Sequence, residues 1–252
     1  MKTAENVMVK VPVLSLTDHM TRARQILRDD VYREVYVQDD RKHLVGYVDI
    51  TDALRITDTR SNVTVEGFLK DAVSVSPGDT LEKVAAVIRD AATDSAAVVN
   101  GQRNILGAVL LSEIFPILIT RHELRGSVRD WMSRDVVTAK AHEPIQKVYT
   151  LIMESGFTAF PVVSKKQLVG LVSRHDLLAA GRVRKALDSP AHVEVESVMT
   201  KDIVTVTPST TIADAANLLV RHDISRMPVV EGGRIVGIID RHDVLKGLVF
   251  KQ

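Results

Sequence analysis

The sequence contains no cysteine, which excludes disulfides, a thiolate nucleophile and cysteine-held zinc. It has no excess of either charge: 33 Lys and Arg face 32 Asp and Glu, a net of +1. No basic stripe argues for nucleic acid, and no acidic tail argues for a basic partner. No apolar run approaches the roughly 18–20 residues that a membrane span requires. "MKTAENVMVKVPVLSLTDH" is broken by polar residues and a proline, so it does not read as a signal peptide. The eight histidines show no HExxH or other metal-ligand spacing, and neither a GxSxG elbow nor a Walker A loop occurs. What is present is 45% apolar and 26% charged, the profile of an ordinary globular protein of one or two domains. The expectation is a cytoplasmic, non-catalytic protein with no metal and no catalytic cofactor.

Repetition sets the organisation. Residues 128–178 align without a gap on residues 195–245. Val128 meets Val195, Met132 meets Met199, Asp135 meets Asp202, Pro161 meets Pro228, Gly170 meets Gly237 and Asp176 meets Asp243, always 67 apart. Two more divergent copies fill the first half. Asp71, Pro77 and Thr80 precede Asp202, Pro208 and Thr211 by 131. "LVGYVDITDAL" and "ILGAVLLSEIF" stand where "IVGIIDRHDVL" stands later. Gly46, Gly107, Gly170 and Gly237 mark the four copies.

Each copy reads β-α-β-β-α. In the last, "DIVTV" is β-rich and "TPSTT" is a cap cluster. "IADAANLLVRH" then puts Ile212, Ala215, Ala216, Leu219 and Val220 on one helical face. "RMPVV" and "RIVGII" flank "EGG", whose glycines suit a hairpin turn. A closing helix follows in "RHDVLKGLV". A unit this small buries little surface, so neighbours are expected to pair. The boundaries expected are 1–60, 61–124, 125–190 and 191–252, with linkers at 57–64, 120–127 and 186–196. The segment 120–127 divides the chain into two paired halves.

These features resemble the CBS domain, named for cystathionine β-synthase. The resemblance rests on "DIVTV" and "DVVTA", "MPVV" and "FPVV", and the ending Gly-φ-φ-(Ser/Thr)-x-x-Asp, where φ is apolar. It covers nearly the whole chain and is strongest in the third and fourth copies. It implies an α/β (α+β) fold of four tandem repeats forming two pseudo-twofold Bateman modules, as in the γ subunit of the AMP-activated protein kinase. It further implies a regulatory ligand, an adenine nucleotide (AMP, ADP or ATP) or an adenosyl compound such as S-adenosylmethionine or methylthioadenosine. An effector protein that reads the bound state, and pairing of modules between two copies, are implied likewise.

The residues admit this chemistry and a plainer one. A carboxylate at Asp176 can accept from both hydroxyls of a ribose, and Ser173 starts a helix whose free N–H groups favour phosphate. Ser-x-x-Asp ahead of an apolar run is also a helix capping pattern, and with all four endings serving only as caps the protein would be a ligand-free structural scaffold. The fourth copy has Asp240 with Asp243, and the first has Asp49 with Asp52. A second carboxylate there repels phosphate and suits a neutral or cationic adenosyl ligand. The second copy, with Leu110 and Glu113, looks degenerate, so the best-formed site is expected at Ser173 and Asp176 of the third copy, in the cleft between the third and fourth copies. Arg226 is the candidate phosphate counter-charge or else a solvated strand-edge arginine. The resemblance suggests Val136, Ile203, Ala159 and Pro228 as purine walls, which plain core packing would also explain, with Lys201 and Thr158 nearby. Arg174, His175, Arg241 and His242 fall in first helical turns and read as a solvated face.

Overall fold

The computed structural model describes residues 2–58, 60–188 and 193–249. The chain divides after His122 into two units, the second covering Glu123–Val249. Each unit holds two copies of one small sheet. Within a copy, a short leading strand runs parallel to the first strand of a hairpin. In the first unit, Val13–Ser15 pairs with Glu34–Gln38 and that strand with Leu44–Asp49. Ser74–Val75 likewise precedes Ser95–Val99 and Ile105–Leu110. In the second unit, Ala139–Lys140 precedes Ala159–Ser164 and Gln167–Ser173. There a single parallel bridge, Val206 to Val229, precedes the hairpin Arg226–Glu231 and Arg234–Asp240.

The helices between leading strand and hairpin follow from capping and period. Thr211 Oγ1 accepts the amide of Asp214 at 3.0 Å and starts helix Ile212–Arg221. Thr80 does the same for Leu81–Ala91 through Lys83. The faces Ile212, Ala215, Ala216, Leu219 and Leu81, Val84, Ala85, Ile88 are buried, and each large aliphatic contributes about 1.5–3 kcal/mol. Val220, expected on the same face, is half-buried.

The four glycines have one structural job. A Cβ on Gly237 would lie 3.0 Å from the Ser133 carbonyl oxygen and 2.6 Å from Met132 Sδ. On Gly170 it would lie 2.8 Å from the Thr200 oxygen, on Gly46 2.6 Å from the Lys70 oxygen, and on Gly107 2.6 Å from the Val9 oxygen. The segment leading into one repeat thus lies across the hairpin of its neighbour. Each crossing is fixed by two backbone bonds. Ser133 and Ile238 exchange both at 2.9 Å, and Leu171 and Thr200 exchange theirs at 2.9 and 2.8 Å. Tyr47 with Lys70, and Val9 with Ala108, do so in the first unit. The exchange is reciprocal, so neither repeat of a pair is complete without the other. A β-bulge directly precedes every one of these glycines.

Hairpin turns differ in chemistry at the same position. Gly232 and Gly233 take φ of +56° and +75°, as expected from "EGG". Lys165 and Lys166 take +49° and +68° without glycine. The stretches "DVVTA" and "DIVTV", expected as strands, are mostly outside the ladder. The Val136 amide bonds back to the Arg134 oxygen, and Ile203 to that of Lys201, at 3.0 Å each. Those two-residue turns delay parallel pairing to Ala139 and Val206. Of the expected linkers, 57–64 contains Thr59, outside the described residues. Helix Gly181–Asp188 enters 186–196, of which 189–192 are not described.

Candidate functional site

In the second unit the crossing of Ser133 over Ile238 leaves a cleft of about 180 Å³, room for about six waters at ~30 Å³ each. Three segments build it. The turn after the crossing supplies Ser133, Asp135 and Val137. The left-handed helix end at Gly156 leads through Phe157 and Thr158 to Ala159. The facing hairpin supplies Arg226, Ile238 and Asp240. Val137 is 37% exposed and Phe157 42%, large apolar side chains open to solvent within the cleft. Phe157 is braced edge-on by Phe160, with centroids 6.4 Å apart.

Arg226 lies half-buried opposite Asp240 in the hairpin register. Its Nη1 donates to Thr158 Oγ1 at 2.5 Å, which holds the guanidinium against the neighbouring repeat. Asp240 caps helix Arg241–Lys246, accepting from the Asp243 amide at 2.9 Å, while Asp243 accepts from the Asp240 amide. Asp243 is only 4% exposed. Burial, and then the charge of Asp240, push its carboxyl above the usual range, against the pull of Lys246 Nζ at 2.8 Å. The cleft therefore combines apolar walls, one guanidinium, and carboxylates at Asp135 and Asp240.

Thr158, Ala159, Arg226 and Asp240, singled out in the sequence, thus share one cleft. Pro228 is buried in the hairpin strand, and Val136 and Ile203 are half-buried in their turns. Lys201 is exposed and paired with Glu196 at 3.3 Å. Ser173 and Asp176 lie on the pseudo-equivalent side, reached by moving each residue by 67, where Ser173 takes the place of Asp240. They form a complete capping box: Asp176 accepts from the Ser173 amide and hydroxyl at 2.7 Å each, and Ser173 from the Asp176 amide at 3.2 Å. Asp49 and Asp52 form a third such box, and Lys70 Nζ lies 3.1 and 2.9 Å from their carboxylates. Leu110 gives its helix no side-chain cap, in keeping with a degenerate second ending.

Sequence reading missed Ser133, Asp135, Val137, Gly156, Phe157 and Ile238. The alignment of Asp135 with Asp202 was a signal for one. Exposure of Phe157 had none, since it depends on the fold around Gly156. A ligand-like trio also emerges only in three dimensions: His142, Glu194 and Glu196 place one ligating atom each within 4.8 Å. His142 is already paired with Glu194 and Glu196 with Lys201, so it reads as a surface ion-pair cluster. No helix among the described residues is long and apolar enough to cross a membrane.

The CBS-domain family model matches residues 65–119, 128–182 and 195–249. Protein MJ0188 of Methanocaldococcus jannaschii is 35% identical over 127 residues, 49% of this chain and 44% of that protein. MJ1225 of the same organism is 28% identical over 164 residues, 60% and 57%. The chain spans about half the length of these curated relatives. The crystal structure of MJ1225, described as a proposed archaeal homolog of g-AMPK, superposes with a TM-score of 0.79 at 21% identity, covering 94% of this chain and 96% of that one. A conserved protein of Pyrococcus horikoshii superposes at 0.66 and 23%, covering 97% and 98%. At these identities the superpositions establish the fold.

Proposed function

The chain belongs to the CBS-domain family, and from that premise we propose that its second unit is a non-catalytic sensor binding an adenosine-containing ligand in the cleft beside Arg226. One observation carries the reading. The exposed apolar walls Val137 and Phe157 meet a fixed guanidinium and a helix-capping carboxylate in one cleft. Apolar walls suit a purine, Arg226 an anionic group, and Asp240, rather than the buried Asp243 equivalent to Asp176, a ribose diol. Residues 1–60 form the fourth repeat in this reading, because Val13–Asp49 shows the strand order of the matched repeats 65–119 and 128–182, which 195–249 completes through a single parallel bridge. Ser173 and Asp176 would provide a second, pseudo-equivalent position. An effector protein reads the state of the module, which the ligand shifts only through its difference in affinity between conformations.

AMP, ADP and ATP are the first ligands to test. The alternative is an uncharged or sulfonium adenosyl compound, favoured by the charge of the lining: Asp135 and Asp240 against Arg226 leaves −1. Calorimetry and thermal shift with AMP, ADP, ATP, S-adenosylmethionine and methylthioadenosine decide between them. A nucleotide sensor should lose about 10- to 100-fold in affinity on Arg226→Ala, the loss of one hydrogen bond to a charged group at ~1.5–3 kcal/mol. An adenosyl sensor should lose little on that change and more on Asp240→Asn. No stabilisation by any of the five at about 100 μM would sink both readings and leave the capping boxes as purely structural.

A further inference from the structure

The first unit contains equivalents of most of the residues that line the cleft. Lys70 crosses Gly46 and pairs with Tyr47 as Ser133 crosses Gly237 and pairs with Ile238. Asp49 and Asp52 correspond to Asp240 and Asp243. Glu34 begins its hairpin opposite Asp49 as Arg226 begins its own opposite Asp240. Thr93, Asp94 and Ser95 correspond to Phe157, Thr158 and Ala159, by the hairpin registers of Ser95 with Leu110 and Ala159 with Ser173.

The chemistry at these equivalent points is inverted and closed. Where Arg226 reaches Thr158, Glu34 reaches back to the Asp94 amide at 2.5 Å and the Ser95 hydroxyl at 2.7 Å. Ser95 also bonds the buried Tyr36 hydroxyl at 2.6 Å. Thr93, which replaces the exposed Phe157, is buried. Where the second unit has the short Ser133 beside Asp240, the first has an ammonium bridging both carboxylates. Lys246 is no equivalent, since it comes from the helix of Asp243 itself and bonds only that residue.

We propose that Lys70 is an intramolecular occupant: its side chain fills, in the first unit, the position that the second unit leaves open beside Asp240, and so bars a ligand from that position. This rests on the sensor reading for its second half only. Groups around the pair include Lys70, Glu34 across the hairpin, Tyr47 at the crossing, and Arg24, which donates to the Ala53 and Ile56 carbonyls at the other end of the same short helix. Lys70 Nζ bonds both carboxylates. Asp52 is 2% exposed, and burial, then Asp49, hold its carboxyl above the usual range while Lys70 draws it down.

The test compares the full chain with Lys70→Met and Lys70→Gln across pH. Without the ammonium the folded value of Asp52 rises further. A carboxyl raised in the folded state contributes stability that is present at low pH and lost as pH climbs through that value. The melting temperatures of wild type and variant should nearly coincide at about pH 4 and separate by several degrees by about pH 7. A gap that does not change with pH overturns the assignment. In the ligand titration, Lys70→Met should leave the affinity of the second unit within about twofold of wild type; a tenfold loss would place Lys70 in a working site and overturn its role as an occupant. Should the wild type bind none of the five ligands, the sensor reading fails, and the pH comparison still decides the role of Lys70.

Discussion

Gly107→Ala tests the reciprocal crossing on which both units are built. The added methyl would sit 2.6 Å from the Val9 oxygen and 3.6 Å from Met8 Sδ, so a backbone carbonyl must retreat by most of an ångström to reach ordinary contact. The Val9 amide bonds to Ala108 at 2.9 Å and the Ala108 amide to Val9 at 3.0 Å, and both lengthen together. Two hydrogen bonds at ~0.5–1.5 kcal/mol each put about 1–3 kcal/mol at stake, consistent with the ~1–3 kcal/mol cost of overpacking. Relief of glycine's entropy in a strand returns about 0.5–1 kcal/mol. The net loss is about 1–2 kcal/mol, or a fall in Tm of roughly 4–8 °C for a unit of this size. Gly101→Ala, six residues away in the same hairpin, is the control, since its Cβ would meet nothing within 4 Å; it should shift stability by less than about 0.5 kcal/mol. Calorimetry measures both, and amide exchange at Val9 and Ala108 should accelerate only in Gly107→Ala. Equal melting of the two variants would refute the claim that these glycines exist for the crossing.

The Lys165–Lys166 turn offers the opposite experiment: Lys166→Gly, matching Gly233, should raise Tm by a few degrees, because a non-glycine in the left-handed region costs ~1–2 kcal/mol. No gain on thermal melting would mean that the lysine side chains stabilise the turn by as much as its backbone costs. Asp240→Ser copies Ser173 and keeps the helix cap, yet removes the charge that pushes Asp243 upward. Since Asp243 contributes stability that fades as pH rises, this variant should match the wild type near pH 4 and gain on it toward about pH 7. A constant difference across that range would show that burial alone governs Asp243. Thr211→Ala removes an N-cap at the head of the Ile212 helix and should cost about 1 kcal/mol by denaturant melting.

What the sequence determined by itself was whatever is local or periodic. The offset of 67 aligned the two repeats of the second unit, the spacing of Ile212, Ala215, Ala216 and Leu219 located a buried helical face, and "EGG" placed a turn. The Ser-x-x-Asp and Asp-x-x-Asp patterns were legible as capping boxes, because a cap is made within four residues. Arg226 and Thr158 could be named separately, but their bond joins residues 68 apart and only the tertiary structure made it. The four glycines were visible as markers, while the reason for them, a neighbour's carbonyl where a Cβ would stand, is a contact between repeats. Likewise the sequence offered Asp49 with Asp52 and Asp240 with Asp243 as similar endings. Tertiary structure made them different, because the crossing brings a lysine to one pair and a serine beside the other. Charge and burial at a site are set by what chain folding brings from elsewhere, and no local pattern carries that information.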